Sequence, residues 1–326
     1  MRKMRVIEPV RTINARSGKI SWNWTRVEPA HISYLLGKGE VLLNTLTRTK
    51  AASVVEYIAT RESIRKCANV CRTLSDEKIE ILTNYAALNA DESSYLRVLT
   101  FMLKEGLYDN CVLYLPMTRN LRAGINDTDT EVYDRSPFGN HGTIHGAVWQ
   151  TLPSGKSVLS FDGVDDYVEV SNSESLKFTN KDEITIAVWV YLKNLTGDHQ
   201  FIVSKGVAPG YWLYWKNDEN LWRSLITDGT NYLYASYYDP NPLNKWVQLV
   251  GVYSNNTMML YVNSEKKDED TKTLADFTLT ENLLIGKNPY DTYYFNGIIE
   301  VRIYNIALSP EAIKRLFNLT RVFYGV

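Results

Sequence analysis

From residue 111 onward the chain consists of short apolar or alternating runs separated by glycine, asparagine, aspartate and proline, and this pattern limits the fold more than any other feature. Runs of this length between turn-forming residues are typical of β-strands. The clearest runs are 158–161, 167–170, 184–191, 201–204, 222–227, 246–253, 257–263 and 298–304. About a dozen such strands predict a mainly β antiparallel sandwich or barrel.

A single helix is predicted in this part of the chain, near its end. Ser309 is a suitable N-cap, Pro310 follows at the first helical position, and Glu311 places a negative charge in the first turn. These residue types favour a helix start because they satisfy or complement its free amide groups. We therefore expect a helix that begins after Ser309.

Residues 1–110 have a different pattern. Residues 20–25 alternate apolar and polar side chains after the Ser17-Gly18 turn, which predicts a β-hairpin with residues 4–15. Helical periodicity at 49–74, after Ser75 and from Asp91 predicts a small three-helix bundle. The fold class is therefore mainly β with an α-helical N-terminal part, divided into a domain of residues 1–110 and a sandwich of residues 111–326.

The net charge of −1 combines two blocks of opposite sign. Residues 1–72 hold 14 basic and 5 acidic side chains, whereas residues 111–326 hold 19 and 25. The basic residues nearest the N-terminus are Arg2, Lys3, Arg5, Arg11, Arg16, Lys19 and Arg26. Basic residues near tryptophans can bind nucleic acid, but they are also attracted to an acidic surface of a neighbouring subunit. We favour subunit contact, and thus a docking or assembly role for residues 1–110.

Composition excludes several classes of protein. The sequence contains no run approaching 18 apolar residues, so no transmembrane helix is predicted. The basic N-terminal residues are not followed by the apolar stretch of a signal peptide. Three cysteines cannot form a disulfide framework. Cys67, Cys71 and Cys111 are expected to be buried thiols in a protein made in a reducing cytosol.

Five segments of the second part occur in the order of a known family: 133–136 with 139–147, 159–168, 185–190, 246–263 and 301–309. Together they resemble the laminin-G-like, concanavalin A-like lectin/glucanase jelly-roll domains over about residues 111–320. The most recognisable segment contains Phe161-Asp162-Gly163. Phe161 is expected to face the core, Gly163 to supply an unusual backbone angle in a tight turn, and Trp189 to anchor the middle of a sheet.

The resemblance also implies a calcium site at the rim of the sandwich. Relatives use the first aspartate of that signature and an acid before the closing strand, which correspond to Asp162 and Glu300. Carboxylates suit Ca²⁺, which takes about six to eight oxygen ligands. The closing segment is one residue shorter than usual and has one acid instead of two, so either Glu300 replaces the ligand or the site is lost. Alternatively, Asp162 caps the turn by accepting backbone N–H bonds.

An aromatic run between residues 211 and 238 is the strongest candidate for a binding surface. Its candidate residues are Tyr211, Trp212, Trp215, Trp222, Tyr232, Tyr234, Tyr237 and Tyr238. Alternating aromatic residues also occur in strands that face a core. Because adjacent strand residues point to opposite faces, pairs such as 211–212 and 237–238 must place some rings outside the core. Those rings are expected to meet a host glycan, a partner protein or another copy of the chain.

Catalytic motifs are absent from the sequence. Retaining glucanases place two acids on one strand about 5 Å apart, and no Glu-x-Asp-x-x-Glu pattern is found. The acid-rich segment from Glu265 to Asp270 is interpreted as a solvated loop, and His141 as support for a turn. We therefore expect no enzymatic activity.

These patterns together predict a non-enzymatic structural and binding protein. A displayed fold without a secretion signal reaches the outside by assembly into a particle, so we expect a capsid- or tail-associated virion protein of a bacterial or archaeal virus, made in the cytosol and exposed on the virion or an extracellular surface. Residues 1–110 would dock in the particle, and the sandwich would contact other subunits or host glycans. A cellular glycan-binding or adhesion module is the alternative, and a glycoside hydrolase the third hypothesis.

Overall fold

The computed structural model describes residues 10–13, 20–23, 105–117, 127–151, 157–290, 293–321 and 324–326, with backbone alone at 10–13, 20–23 and 157. Backbone contacts divide the chain into one unit of residues 1–107 with 122–124 and another of residues 108–121 with 125–326. In the first unit, β1 (Val10–Ile13) and β2 (Ile20–Asn23) form an antiparallel hairpin at the predicted position. The predicted three-helix bundle, Cys67, Cys71 and the basic residues other than Arg11 lie outside the described residues.

The second unit contains sixteen strands among its described residues. They are β3 (Cys111–Leu115), β4 (Glu131–Val132), β5 (Gly142–His145), β6 (Val148–Thr151), β7 (Ser157–Asp162), β8 (Tyr167–Val170), β9 (Ile184–Leu192), β10 (His199–Lys205), β11 (Gly210–Lys216), β12 (Leu221–Thr227), β13 (Tyr232–Tyr238), β14 (Trp246–Ser254), β15 (Thr257–Val262), β16 (Glu265–Thr271), β17 (Leu283–Ile285) and β18 (Asn296–Tyr304). Short 3₁₀ turns cover Tyr108–Asn110 and Glu174–Leu176, and one helix, α1, covers Pro310–Thr320. Of the helices within the described residues, none has the length and apolar character needed to cross a bilayer.

The strands form two antiparallel sheets. The front sheet has the order β4-β5-β8-β17-β10-β11-β12-β13, and the back sheet has the order β6-β7-β18-β9-β14-β15-β16, with β3 also paired to β18. Neighbours such as β8 and β17 are distant in sequence, as expected for the long crossovers of a jelly roll. The predicted antiparallel sandwich is confirmed.

The core confirms the alternation expected from the sequence. Phe161 and Val168 are buried in the main apolar cluster, and Gly163 has a φ of +82° in the turn between β7 and β8. Trp189 is also fully buried, but on the outer side of the back sheet. There it stacks on Phe317 and Tyr324 at 5.7 and 4.5 Å between ring centres, so it anchors the C-terminal segment to the sheet.

Helix α1 begins as the sequence predicts. The Ser309 hydroxyl accepts a hydrogen bond from the Ala312 N–H at 3.2 Å, and Pro310 and Glu311 occupy the first turn. Ile313 and Leu316 are buried, which orients the apolar face of the helix toward protein rather than solvent. The Trp189 indole N–H donates to the Thr320 hydroxyl at 2.9 Å and ties the last turn to β9.

The acid-rich segment from Glu265 to Asp270 is a strand, β16, so its interpretation as a loop is wrong. Asn263 and Ser264 adopt left-handed backbone angles, with φ of 49° and 70°, and form the tight hairpin turn that returns the chain along β15. Since β16 lies at the edge of the back sheet, its outward charges are compatible with a strand. The lack of apolar alternation reflects this edge position.

His141 supports a turn, as predicted. Its Nδ1 accepts the Asp134 N–H at 3.0 Å. The buried Asp134 carboxylate in turn accepts the backbone N–H groups of Tyr114, Ser136 and Asn140, each at 2.8 Å. This family segment therefore closes a corner of the sandwich by satisfying backbone amides.

Candidate ligand-binding face

Strands β11, β12 and β13 form one edge of the front sheet and carry most of the aromatic run. Adjacent aromatic residues on these strands point to opposite faces because side chains alternate along a strand. On β11, Tyr211 is buried in the core, whereas Trp212 is half-buried and lies on the outer face. On β13, Tyr237 packs against the core, whereas Tyr238 is exposed.

Three of the candidate residues are core residues, which corrects their inclusion as ligand contacts. Tyr211, Trp215 and Trp222 are at most 1% exposed. Trp215 and Trp222 are directly opposite each other on β11 and β12, and their rings meet edge to face at 4.7 Å. Tyr237 is opposite Trp222 and extends this internal row. The rings of Tyr211, Trp215 and Trp222 fill the space between the sheets and are not accessible to a ligand on the surface, whereas Tyr237 is only partly buried.

Apart from Tyr237, the other four candidates share the outer face of the front sheet. Tyr232, Tyr234 and Tyr238 are 45%, 43% and 58% exposed, and Trp212 is half-buried. We call these four residues the aromatic strip. Exposed apolar groups that gather on one face of a protein commonly mark an interaction site.

A small apolar cluster underlies the aromatic strip. Phe201, Tyr214 and Leu225 are each 5% exposed and contact one another on the outer face. Phe201 and Tyr214 stack with 5.0 Å between ring centres. Since this cluster is separate from the main core, it gives the outer face a packed apolar floor of its own.

Trp212 is held in a fixed orientation. Its indole N–H donates to the carbonyl oxygen of Gly206 at 3.0 Å, and its ring meets Phe201 edge to face at 6.0 Å. Leu225 is directly opposite Trp212 on β12, and Tyr234 is directly opposite Leu225 on β13. Trp212, Leu225 and Tyr234 thus form one row across three strands.

Arg223 is the cation nearest this row. Its guanidinium carbon lies 4.6 Å from the centre of the Tyr234 ring. Its Nε donates to the Ser236 hydroxyl at 2.8 Å, and its Nη2 donates to Glu219 Oε2 at 3.1 Å. A cation over a ring and two directed hydrogen bonds fix both the arginine and the tyrosine.

The other charges beside the aromatic strip are also paired. Lys216 contacts Asp218 at 3.4 Å and also donates to Glu219. His199, opposite Lys216, packs against Tyr214 and Tyr293 at 5.5 and 5.2 Å between ring centres. Burial, together with Lys216, lowers the pKa of His199, so a neutral imidazole is favoured there. The two cations Lys216 and Arg223 and the two acids Asp218 and Glu219 therefore balance one another beside the aromatic strip.

The predicted calcium ligand Asp162 lies in a second group of interest. We call Asp162, Asp165 and Asp166 the rim acids. Each of them offers a carboxylate oxygen that lies within 4.8 Å of those of the other two. Asp162 Oδ1 accepts the Val164 N–H at 2.8 Å, and Asp166 Oδ2 accepts the Asp162 N–H at 2.8 Å. Burial and the two neighbouring carboxylates raise the pKa of Asp166 to about 6. An all-oxygen donor set of this kind suits a hard cation such as Ca²⁺.

Glu300 does not belong to that group, which corrects its prediction as a calcium ligand. It is 2% exposed and lies opposite Trp189 in the back sheet. One of its carboxylate oxygens accepts from Arg302 Nη2 and the other from the Tyr324 hydroxyl. Glu300 therefore balances the buried Arg302, because an unpaired buried charge is costly.

A comparison with models of protein families agrees with the antiparallel sandwich fold of this part of the chain. Residues 162–314 match the model of a laminin G family, which is described as the concanavalin A-like lectin/glucanases superfamily. Residues 162–314 of the sandwich thus resemble a concanavalin A-like domain. Among curated proteins, none matches the chain.

Several solved structures are similar in fold to the sandwich. The binding domain of Paraclostridial Mosquitocidal Protein 1 is 16% identical, with a TM-score of 0.52 over 65% of this chain and 52% of its own. The botulinum neurotoxin serotype G binding domain is 13% identical, with a TM-score of 0.52 over 64% and 51%. The serotype D ligand binding domain, in complex with N-acetylneuraminic acid, is 14% identical, with a TM-score of 0.52 over 68% and 55%. This chain spans about half the length of these structures, and the likeness establishes the fold alone.

Three features of the sandwich were missed by the sequence analysis: Arg223, the acids beside Asp162 and the apolar floor. Arg223 follows Trp222, so the period of two already places it on the outer face once Trp222 is assigned to the core. Asp165 and Asp166 belong to the same turn signature as Asp162, and their proximity could have been inferred from the tight turn. The sequence lacks a signal for the floor residues Phe201 and Leu225, because apolar strand residues are usually assigned to the main core.

Proposed function

We propose that the concanavalin A-like sandwich is a glycan-binding module and that the glycan contacts the aromatic strip. The row of Trp212, Leu225 and Tyr234 carries the proposal, since it presents two fixed aromatic rings over a packed apolar floor. The apolar faces of sugar rings stack on aromatic side chains, and the hydroxyl groups at the ring edges need polar partners. Ser236 and Arg223 supply such partners beside the row.

The comparisons support the same class of ligand. The description of the matching family model names lectins as well as glucanases. One solved domain of this fold is a ligand binding domain in complex with N-acetylneuraminic acid. Pre-formed, rigid binding surfaces lose little entropy on binding, and the hydrogen bonds of Trp212 and Arg223 provide this rigidity.

The proposal includes no catalytic step. The sequence contains no Glu-x-Asp-x-x-Glu pattern of the kind that places the two acids of a glucanase on one strand. Among the described residues of β16, Lys267 pairs with Glu265 and Lys266 pairs with Glu269, each at 2.6 Å, which leaves these acids engaged in surface ion pairs. The solved structures that share the fold are described as binding domains.

A glycan array tests the proposal directly. The intact chain is expected to bind at least one glycan, and Trp212→Ala and Tyr234→Ala are each expected to weaken that signal. Tyr290→Ala is the matched control, because Tyr290 is 52% exposed and does not belong to the aromatic strip. An intact chain that binds no glycan would overturn the proposal.

We further propose that this module belongs to a virion, with residues 1–110 docking in the particle. The basic block at residues 1–72 and the excess of acidic residues at 111–326 support contacts between subunits. Sedimentation at rising salt tests this part: the chain is expected to form oligomers that dissociate as salt screens the charges. A chain that stays monomeric at low salt and binds no particle component would contradict it.

A further inference from the structure

Resting on the proposed function, we infer that the ligand is an extended chain of neutral, equatorially linked pyranoses that crosses strands β13, β12 and β11 at right angles. Trp212 and Tyr234 are two strands apart in one row, with Leu225 between them. Adjacent strands are about 4.8 Å apart, so the two rings are separated by roughly 10 Å.

This spacing matches the repeat of an extended sugar chain. By its bond geometry, a pyranose with equatorial linkages advances an extended chain by a length close to this spacing between strands. Two rings separated by two spacings therefore stack on the first and third sugars of a chain. The middle sugar then lies over Leu225, which is 5% exposed and belongs to the apolar floor. A single sugar can contact only one of the two aromatic rings.

The polar groups lie where such a chain needs them. The row next to Trp212, Leu225 and Tyr234 contains Arg223 opposite Ser236, and their side chains are bonded at 2.8 Å. A chain that crosses the strands runs parallel to this second row, so its equatorial hydroxyl groups face Arg223 and Ser236. On the other side, the neighbouring row contains Tyr232, which is 45% exposed, whereas Thr227 opposite it is buried and donates its hydroxyl to the Asn231 carbonyl oxygen. The apolar sugar faces and polar sugar edges thus both find their partners.

The charges favour a neutral glycan over an acidic one. Arg223 is paired with Glu219 at 3.1 Å, and Lys216 is paired with Asp218 at 3.4 Å and with Glu219. An acidic sugar would have to displace one of these carboxylates from its cation, and Glu219 would repel it. A neutral hydroxyl can instead accept from the arginine or donate to the carboxylate without breaking the pair.

Calorimetric titration of the intact chain with cello-oligosaccharides of one to six glucose units tests the inference. The affinity is expected to rise at least about tenfold between the disaccharide and the trisaccharide, where the second aromatic ring is first engaged, and then to level off. Trp212→Ala is expected to remove this step, so that the trisaccharide binds no better than the disaccharide. Tyr290→Ala is expected to keep it, and sialyllactose is expected to bind more weakly than cellotriose.

The outcomes separate this inference from the proposed function. If glucose binds as tightly as cellotetraose, or if sialyllactose binds more tightly than cellotriose, the extended neutral chain is overturned while glycan binding stands. The same conclusion follows if no cello-oligosaccharide binds but another glycan on the array binds in a Trp212-dependent way. If no glycan of any kind binds, the proposed function itself is overturned.

Discussion

Arg223 covers the ring of Tyr234, with its guanidinium carbon 4.6 Å from the ring centre. The two residues are diagonal neighbours on β12 and β13, because Arg223 is opposite Ser236 and Tyr234 is opposite Leu225. Tyr234 is nevertheless 43% exposed. Arginine therefore holds the tyrosine in place from one side while part of the ring stays accessible to a ligand.

Replacing Arg223 by lysine is expected to weaken glycan binding about two- to fivefold, since an exposed cation–ring contact contributes about 0.5–1 kcal/mol. Lysine keeps the positive charge but lacks the planar guanidinium, which donates hydrogen bonds to both Ser236 and Glu219 at the same time. Calorimetric titration with the glycan identified on the array measures the change. Unaltered affinity in Arg223→Lys would show that Arg223 does not position Tyr234.

Trp222→Ala is expected to lower the free energy of unfolding by about 3–5 kcal/mol, because it leaves a cavity in the core. Trp222 is fully buried, stacks edge to face on Trp215, and donates to Asp239 at 3.3 Å. Tyr232→Ala, on the exposed side of β13, is expected to change it by less than about 0.5 kcal/mol. Urea denaturation followed by far-ultraviolet circular dichroism compares the two variants. Equal losses of stability would contradict the division between buried and exposed aromatic residues.

Calcium is expected to raise the melting temperature of the chain if the rim acids bind it. Asp162→Ala is expected to abolish the rise, because it removes one of three neighbouring carboxylates. Glu300→Gln serves as the control: the variant is expected to be less stable than the intact chain, but its calcium-dependent increment is expected to persist, since Glu300 is engaged with Arg302 and Tyr324. Scanning calorimetry with calcium and with a chelator measures both increments. The absence of any calcium-dependent rise in the intact chain would refute the site.

The raised pKa of Asp166 predicts a pH dependence of stability in calcium-free buffer. Its pKa rises from an ordinary value of 3.8 to about 6 in the folded chain. The folded state thus holds this proton more tightly, so its contribution to stability is complete below about pH 4 and is lost as the pH rises through 6. Asp166→Asn is expected to remove this loss. Urea midpoints from pH 4 to 7 test the difference, and parallel profiles for the two proteins would rule out Asp166 as the source.

Much of the sandwich followed from local pattern. The run at 184–191 corresponds to β9 (Ile184–Leu192), and the Ser309 N-cap begins α1, because alternation and capping act within a few residues. The edge strand β16 escaped prediction, since its charged residues are stable as a strand only beside β15. The buried role of Glu300 was also missed. Its partner Arg302 is two residues away on the same strand, but Tyr324 meets Glu300 only in the tertiary structure, where the C-terminal segment packs on the back sheet.

The sequence by itself determined that adjacent aromatic residues such as Tyr237 and Tyr238 face opposite sides of a strand, because the backbone period of two is a local property. It did not determine which side is the core. That choice was made by the tertiary structure, in which the back sheet covers the inward rings of Trp215 and Trp222 and leaves the outward ring of Tyr234 in solvent. Strand register then brought Trp212 and Tyr234 into one row, because the pairing of β11, β12 and β13 is set by contacts between segments and not within them.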